Sequence, residues 1–523
     1  MPGIVTRRFR IHNAEQFHEA FSEAAATNMY LFIARVSAWP DDNNPPTPTD
    51  SVQETEYNSW KKMLSAKRVN SSDITFALPR YNWTSGKVYR EYKNTDASLH
   101  AAPASANGLY VISSSSNVYK CLFNNKGSSS TVEPTGTSTS TLITADGYHW
   151  KFLYTVDAAN ALKFLSTNWQ PIKTLSYDDG SAQWDVQAAA ANGAINIIDI
   201  NNPGNLYLTQ SGSFQAAANS TTLTLSSGAS ATDDIYSGSA VYISSGLGSG
   251  QVATISNYVG STKIATLSTS LSVTPNTTST YSIGPTVTIT GDGSGASAYA
   301  NVVIGGANGN TVNYINMISV GSNYSEATVA ITANSSHGSS ATASAYIAPP
   351  GGHGSDPFGE LAGHNVILNV QLDGSESDTF MTTNDFRTLG VIRDPLLANG
   401  SIATGTAYNQ TTKLTLSSVS SSGAYTLDET ITGGTSNATG KLVSFANTNA
   451  SNTAGIISVI DIDGTFQTSE VVTGADSGVT ATTTTITAAS LKPYTGDVVY
   501  TENRGPISRA ADQIEDIKLI VKF

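Results

Sequence analysis

Apolar residues along this chain recur mainly with a period of two, in short runs bounded by Gly, Asn, Asp and Ser. That period puts successive side chains on opposite faces of a strand, so the pattern predicts short strands joined by polar turns. Residues 29–36 read as a buried strand, and residues 74–78, 118–122 and 150–154 as strands. Residues 514–523 read as a half-buried strand, with Ile517, Leu519, Val521 and Phe523 set against Asp516, Lys518 and Lys522. Helical spacing is read at two places in the N-terminal region. Asn13 with Gln16 has the form of a capping box ahead of Phe17, Ala20, Phe21 and Ala24. Ser51 with Glu54 similarly precedes Tyr57, Trp60 and Leu64.

The strand pattern also repeats. Thr286-Val287-Thr288-Ile289-Thr290 returns as Thr328-Val329-Ala330-Ile331-Thr332, and residues 198–207 resemble residues 315–324. Residues 425–439 match residues 466–480, with Glu429/Glu470, Thr432/Thr473 and Gly433/Gly474 in register. These repeats occupy two stretches of distinct composition. All six tryptophans lie before residue 190, residues 195–350 hold one basic residue (Lys263), and residues 400–490 hold two (Lys413 and Lys441). The expected organisation is a body formed by residues 1–194, 351–400 and 492–523. Two β-repeat modules, residues 195–350 and 401–491, interrupt it, each a small β-sandwich or β-roll. The regular Ile/Val alternation argues against disordered linkers.

Composition narrows the class. With 523 residues the chain has room for several domains. It is 39% hydrophobic and only 13% charged, which excludes a disordered chain, while the shortage of Leu, Glu and Lys excludes a helical one. The fold class is therefore mainly β. A net charge of −13 argues against nucleic acid or an anionic membrane as partner, because phosphate binding needs clustered Lys and Arg. The single cysteine, Cys121, can form no intramolecular disulfide. No apolar run approaches the ~20 residues of a membrane-spanning helix, and the first residues lack a signal-peptide core, so synthesis and folding in a cytoplasm are expected.

Residues 349–364 carry the most chemical-looking segment. His353, Asp356, Glu360 and His364 would stack four metal ligands along one helix face. The glycines and prolines among them, at ~1 kcal/mol or more each in a helix interior, argue against that helix and favour a hinge. Ser355 beside Asp356 lacks the Gly-x-Ser-x-Gly elbow of a hydrolase. Asp461, Asp463, Gly464 and Glu470 miss the spacing of a calcium loop, and Gly291-Asp292-Gly293-Ser294-Gly295 misses that of a nucleotide fingerprint; both read as turns. Cys121, weighed with His149 as a Cys–His pair, reads as a buried strand cysteine rather than a nucleophile. Glu502-Asn503-Arg504 has two open readings: an ion pair across a subunit boundary, or an internal pair fixing a turn. No catalytic, cofactor-binding or metal residue is assigned, and the chain is read as a non-enzyme.

The strongest pointer is a set of landmarks in order. They are Ile4-Val5-Thr6 with Phe9-Arg10, Pro48-Thr49-Asp50-Ser51-Val52, Pro79-Arg80 with Trp83, and Val118-Tyr119-Lys120-Cys121-Leu122. Asp146-Gly147-Tyr148 with Trp150, and Phe386-Arg387 with Asp394-Pro395-Leu396, follow. The series ends in Gly496-Asp497-Val498-Val499-Tyr500-Thr501-Glu502-Asn503-Arg504-Gly505-Pro506-Ile507, then Ala511-Asp512-Gln513 and Glu515. Together they resemble the baseplate wedge subunits of T-even-like contractile-tailed phages, the gene product 8 family, over residues 1–190, 355–400 and 492–523. The resemblance implies a two-layer β-sandwich body with a few helices, assembled as a homodimer among other wedge proteins in the virion tail baseplate. It implies no cofactor and no chemistry. The competing class is a peripheral tail protein whose β modules bind carbohydrate or a receptor. The absence of Trp from those modules weakens it, because sugars stack on aromatic rings.

Overall fold

The computed structural model describes the whole chain except residues 1–2, 24–26, 101–107, 306–308, 335, 374–375, 377–378, 421–423 and 511–512. The fold is mainly β, built of antiparallel sheets with few and short helices, as the pattern predicts. The helices depart from their sequence signals. The first spans Arg7–Glu19 and is capped by Thr6, whose hydroxyl accepts from Phe9 N at 3.4 Å, so Asn13 lies inside it. Ala20 is its C-cap; Phe17 packs edge-on against Phe21 and tilted against Phe523, and Ala24 falls outside the described residues. At the second signal, Ser51 Oγ does accept from Glu54 N at 3.3 Å. The turn that follows is π-helical over Gln53–Asn58, passes into Ser59–Lys62 and stops. Leu64 belongs instead to the strand Met63–Arg68, because pairing with Met29–Ala34 buries Met63, Leu64, Ser65 and Ala66 and overrides local spacing.

The chain divides into two compact units. The first comprises residues 1–78, 159–165 and 364–523. Its five-stranded sheet runs in the order Ala407–Asn409, Met63–Arg68, Met29–Ala34, Phe386–Arg393, Asp497–Ile507. Met29–Ala34 is buried at all six positions, as a central strand covered on both faces should be. In a second sheet Asn365–Asp373 lies between Ile74–Pro79 and Ile514–Lys522, the latter pairing from Asn365↔Lys522 to Asp373↔Ile514. Ile517, Leu519 and Val521 are buried there and their neighbours are not, which is the expected alternation.

Residues 412–487 of this unit form a closed barrel of six strands: Thr412–Ser417, Thr430–Gly433, Thr439–Asn447, Ala454–Asp463, Val471–Gly474 and Thr480–Thr487. Numbered in chain order, they run around the barrel as first, fourth, third, second, fifth, sixth. Closure leaves no unpaired edge, which suits strands this short better than an open roll. The core holds Leu414, Ile431, Leu442, Ile457, Val459 and Val472, all fully buried.

The second unit comprises residues 79–158 and 166–363. A four-stranded sheet, Tyr110–Ile112, Asn117–Phe123, His149–Thr155, Leu142–Ile143, packs an aromatic core of Tyr89, Tyr119, Tyr148, Trp150 and Phe152. The other six strands of note are Ile195–Asn205, Thr280–Gly291, Ser294–Val303, Thr311–Ser322, Ala327–Thr332 and Ser339–Ile347. In chain order, ladders join sixth to first, fifth to sixth, second to fifth and third to fourth, all of them pairings found in the barrel. The first and fourth strands, which pair in the barrel, belong here to separate sheets. Between the first and second strands, residues 210–267 add further strands around their own core, including Phe214, Val241, Ile255 and Tyr258.

Candidate functional site

The segment that offered metal ligands folds as a connection with one helical turn, Pro357–Glu360, capped by Asp356 through Gly359 N at 2.9 Å. It separates the four candidates. His364 begins the segment that returns to the first unit, and its carbonyl accepts from Phe523 N at 3.1 Å. Asp356 is spent on the cap. His353 and Glu360 do come together, but around a cation. Lys120 Nζ donates to Glu360 Oε2 at 2.8 Å and lies 3.1 Å from His353 Nδ1, with His353 Nδ1 at 3.6 Å from Glu360 Oε2. Lys120 is completely buried, and Glu360 and His353 are nearly so. Tyr92 closes the cluster: its ring lies 4.3 Å from Lys120 Nζ and meets the His353 ring edge-on at 4.6 Å.

Electrostatics follow from this packing. Burial disfavours the Glu360 carboxylate, but Lys120 and His353 outweigh burial and hold its pKa down to about 2. Burial, reinforced by the Lys120 charge, lowers the His353 pKa to about 4, so the ring is neutral near pH 7. No group of three His, Cys, Asp or Glu side chains among the described residues is placed to hold a metal ion. Lys120 was not singled out from the sequence. The available signal was a lysine at the centre of a continuous apolar run, which demands a buried partner.

The remaining candidates are turn and core residues. Cys121 is fully buried opposite Trp150, and burial pushes its thiol pKa well up; His149 packs its ring on Phe123. Ser355 Oγ donates to Gly352 O. Asp292 accepts from the backbone of Ser325 and Glu326, fixing the Gly291–Gly295 turn. Asp463 pairs with Lys61 at 2.6 Å, whereas Glu470 points into the turn at Thr435 and Ser436. Of the two readings of Glu502-Asn503-Arg504, the internal pair is present. Arg504 Nε donates to Glu502 Oε1 at 2.6 Å, and Asn503 bonds to Thr388 and to Pro46 O.

Two hollows remain. One of about 530 Å³ in the second unit is walled by Ile198, Ile315, Met317, Tyr314, Ile143 and His149. The other, about 450 Å³ in the first unit, is lined by Asp50, Glu56, Tyr57, Trp60, Tyr494 and Asp497. Tyr57 and Tyr494 are 44% and 52% exposed and meet edge-on at 5.3 Å, an aromatic pair among acids at the surface.

What this geometry defines is an antiparallel β scaffold in which the sequence candidates serve turns, caps and internal pairs. A family model described as Phage-Gp8 (Bacteriophage T4, Gp8) matches residues 3–125 and 443–523. Over those two segments the chain is similar to the T4-like baseplate wedge proteins, structural components of the phage tail, as its landmarks indicate. The match reaches further into the barrel than the landmarks do, and stops before those at Asp146 and Phe386. No curated protein matches the chain.

Proposed function

We propose that the chain is a structural subunit of the baseplate wedge in a contractile phage tail, acting through protein–protein interfaces and performing no turnover chemistry. The observation that supports this most is where the family-matched segments fall. Met29–Ala34, Met63–Arg68 and Ile74–Pro79 from the first segment share two sheets with Asp497–Ile507 and Ile514–Lys522 from the second. These matched strands therefore build one pair of sheets in the first unit, while matched residues 79–125 belong to the second unit.

In this reading the subunit is a homodimer with an isologous interface, contacts other wedge proteins, and needs no cofactor, nucleic acid or membrane. It is made in the host cytoplasm and ends in the virion baseplate. The exposed Tyr57–Tyr494 pair, ringed by Asp50, Glu56 and Asp497, supplies the kind of aromatic anchor that dominates interface energetics. Sedimentation equilibrium of the purified chain at micromolar concentration tests the dimer, and a single monomeric species would sink it. Labelling the chain in intact particles tests the location: signal in the baseplate supports the assignment, and signal confined to fibre tips favours the receptor-binding class.

A further inference from the structure

The buried cluster of the second unit is built like a site that could change its own covalent structure. Lys120 Nζ touches Glu360 Oε2 at 2.8 Å with water excluded, so the carboxyl carbon is one bond beyond the contact. Glu360 Oε1 is held by the backbone N–H of Gly354 at 2.6 Å and more loosely by that of Asp356 at 3.5 Å. Two N–H groups aimed at that oxygen would stabilise the charge it gains if the carbon became tetrahedral. His353 Nδ1 lies 3.1 Å from the nitrogen that must lose protons and 3.6 Å from the oxygen that must gain them. A neutral ring protonated on Nε2 leaves Nδ1 free to carry them.

We propose that Lys120 and Glu360 are the partners of a self-formed isopeptide bond, with His353 as the proton carrier. The balance is that of an ordinary condensation. His353 relays one proton from the Lys120 ammonium to Glu360 Oε2, giving a neutral amine and a neutral acid. Burial favours this transfer because it removes two desolvated charges, whereas the pairing that holds the Glu360 carboxyl down opposes it, so the transfer is the slow step. The amine lone pair then adds to the carboxyl carbon, and negative charge collects on Oε1 under the two N–H groups. A second proton leaves the nitrogen by the same route, the bond from carbon to Oε2 breaks, and one water departs. Nothing is oxidised or reduced. The product ties residue 120 to residue 360, so tension applied to the chain ends bypasses residues 121–359.

The test is the intact mass of the full chain, purified and held at neutral pH, together with a proteolytic map. The expected wild-type mass is one water below that of the sequence, with the Lys120 and Glu360 peptides recovered as a single branched species. H353A, with its fold checked by circular dichroism, is expected at full mass. E360Q, an amide acceptor, is expected to lose one ammonia instead of one water. Wild-type protein at full mass with separate peptides overturns the proposal, whatever the variants do. Cross-linking in H353A at the wild-type rate overturns the role of His353.

Discussion

At the scale of single residues, the side chains that matter most are those with no room to change. Gly390 sits in the central sheet of the first unit, where a Cβ would lie 2.2 Å from the Phe32 ring and 2.7 Å from Tyr500 O. One of those neighbours is backbone, so the clash cannot be relieved by turning a side chain. Gly390→Ala is expected to cost about 1–3 kcal/mol through overpacking, seen as a lower denaturation midpoint with an unchanged slope. An unaltered midpoint would show that the sheet yields there. Residue roles were only partly legible beforehand. His353 and Glu360 stood out by type and spacing, yet what joins them is Lys120, distant in sequence. Ligand spacing assumes a local scaffold, and here the partner arrives through tertiary packing on strand Asn117–Phe123.

Among the elements, the repeats explain more than their sequence similarity indicates. Residues 425–439 and 466–480 lie side by side in the barrel wall through the antiparallel pair Ile431↔Gly474, Thr432↔Thr473, Gly433↔Val472. Each repeat then secures the turn of the other. Glu429 accepts from Asp476 N, Ser477 N and Ser477 Oγ, while Glu470 accepts from Thr435 N, Ser436 N and Ser436 Oγ. Gly433 and Gly474 have no side chain because the opposing carboxylate occupies the place of a Cβ, at 2.7 and 2.5 Å. Glu429→Ala and Glu470→Ala should therefore destabilise the chain alike, by about 1–3 kcal/mol, since each leaves several part-buried donors without their acceptor. Calorimetry that finds one costly and the other neutral would break the equivalence. Burial alone would raise both carboxyl pKa values, but hydrogen bonds from Ser477 to Glu429, and from Gln467 and Ser436 to Glu470, hold them below the usual range. A depressed folded pKa stabilises above the unfolded value of about 4.3 and is lost as pH falls through the folded one. Barrel melting should thus fall on acidification below about pH 4 and level off above it; a melt that rises in acid would contradict the assignment. The Thr286–Thr290 and Thr328–Thr332 repeats also pair with each other, Thr286↔Thr332 through Thr290↔Thr328. Period-two alternation made such strands readable in sequence. Which strand they join is set by long-range closure, and alternation carries no information about that.

Over the whole molecule, the expected division into a body and two inserted modules leads to a deletion experiment. An insertion can be excised when its ends lie side by side, because the shortened connection then spans almost no distance. Both modules meet that condition locally. At the barrel, Gln410 Nε2 donates to Leu491 O, Leu491 N donates to Gln410 Oε1, and Ser490 N donates to Asn409 O. At the other, Ile347 pairs with Ile195, and Ala348 N donates to Ala194 O. Each module also has its own apolar core, so removing either takes its stabilising contacts along with its ordering cost. Replacing residues 412–487 or 196–346 by a short Gly/Ser linker is expected to leave a soluble chain with a cooperative melt. Removing residues 514–523 is expected to abolish folding, since Ile517, Leu519 and Val521 contribute about 1.5–3 kcal/mol each against a typical total of about 5–15 kcal/mol. The contrast is what decides. Insoluble or monomeric module deletions would show that the modules belong to the core. Deleted chains that fold and dimerise yet no longer enter wedges would make the modules the contact surfaces for neighbouring subunits. Deleted chains that still enter wedges would leave that role to the body, where the Tyr57–Tyr494 surface lies.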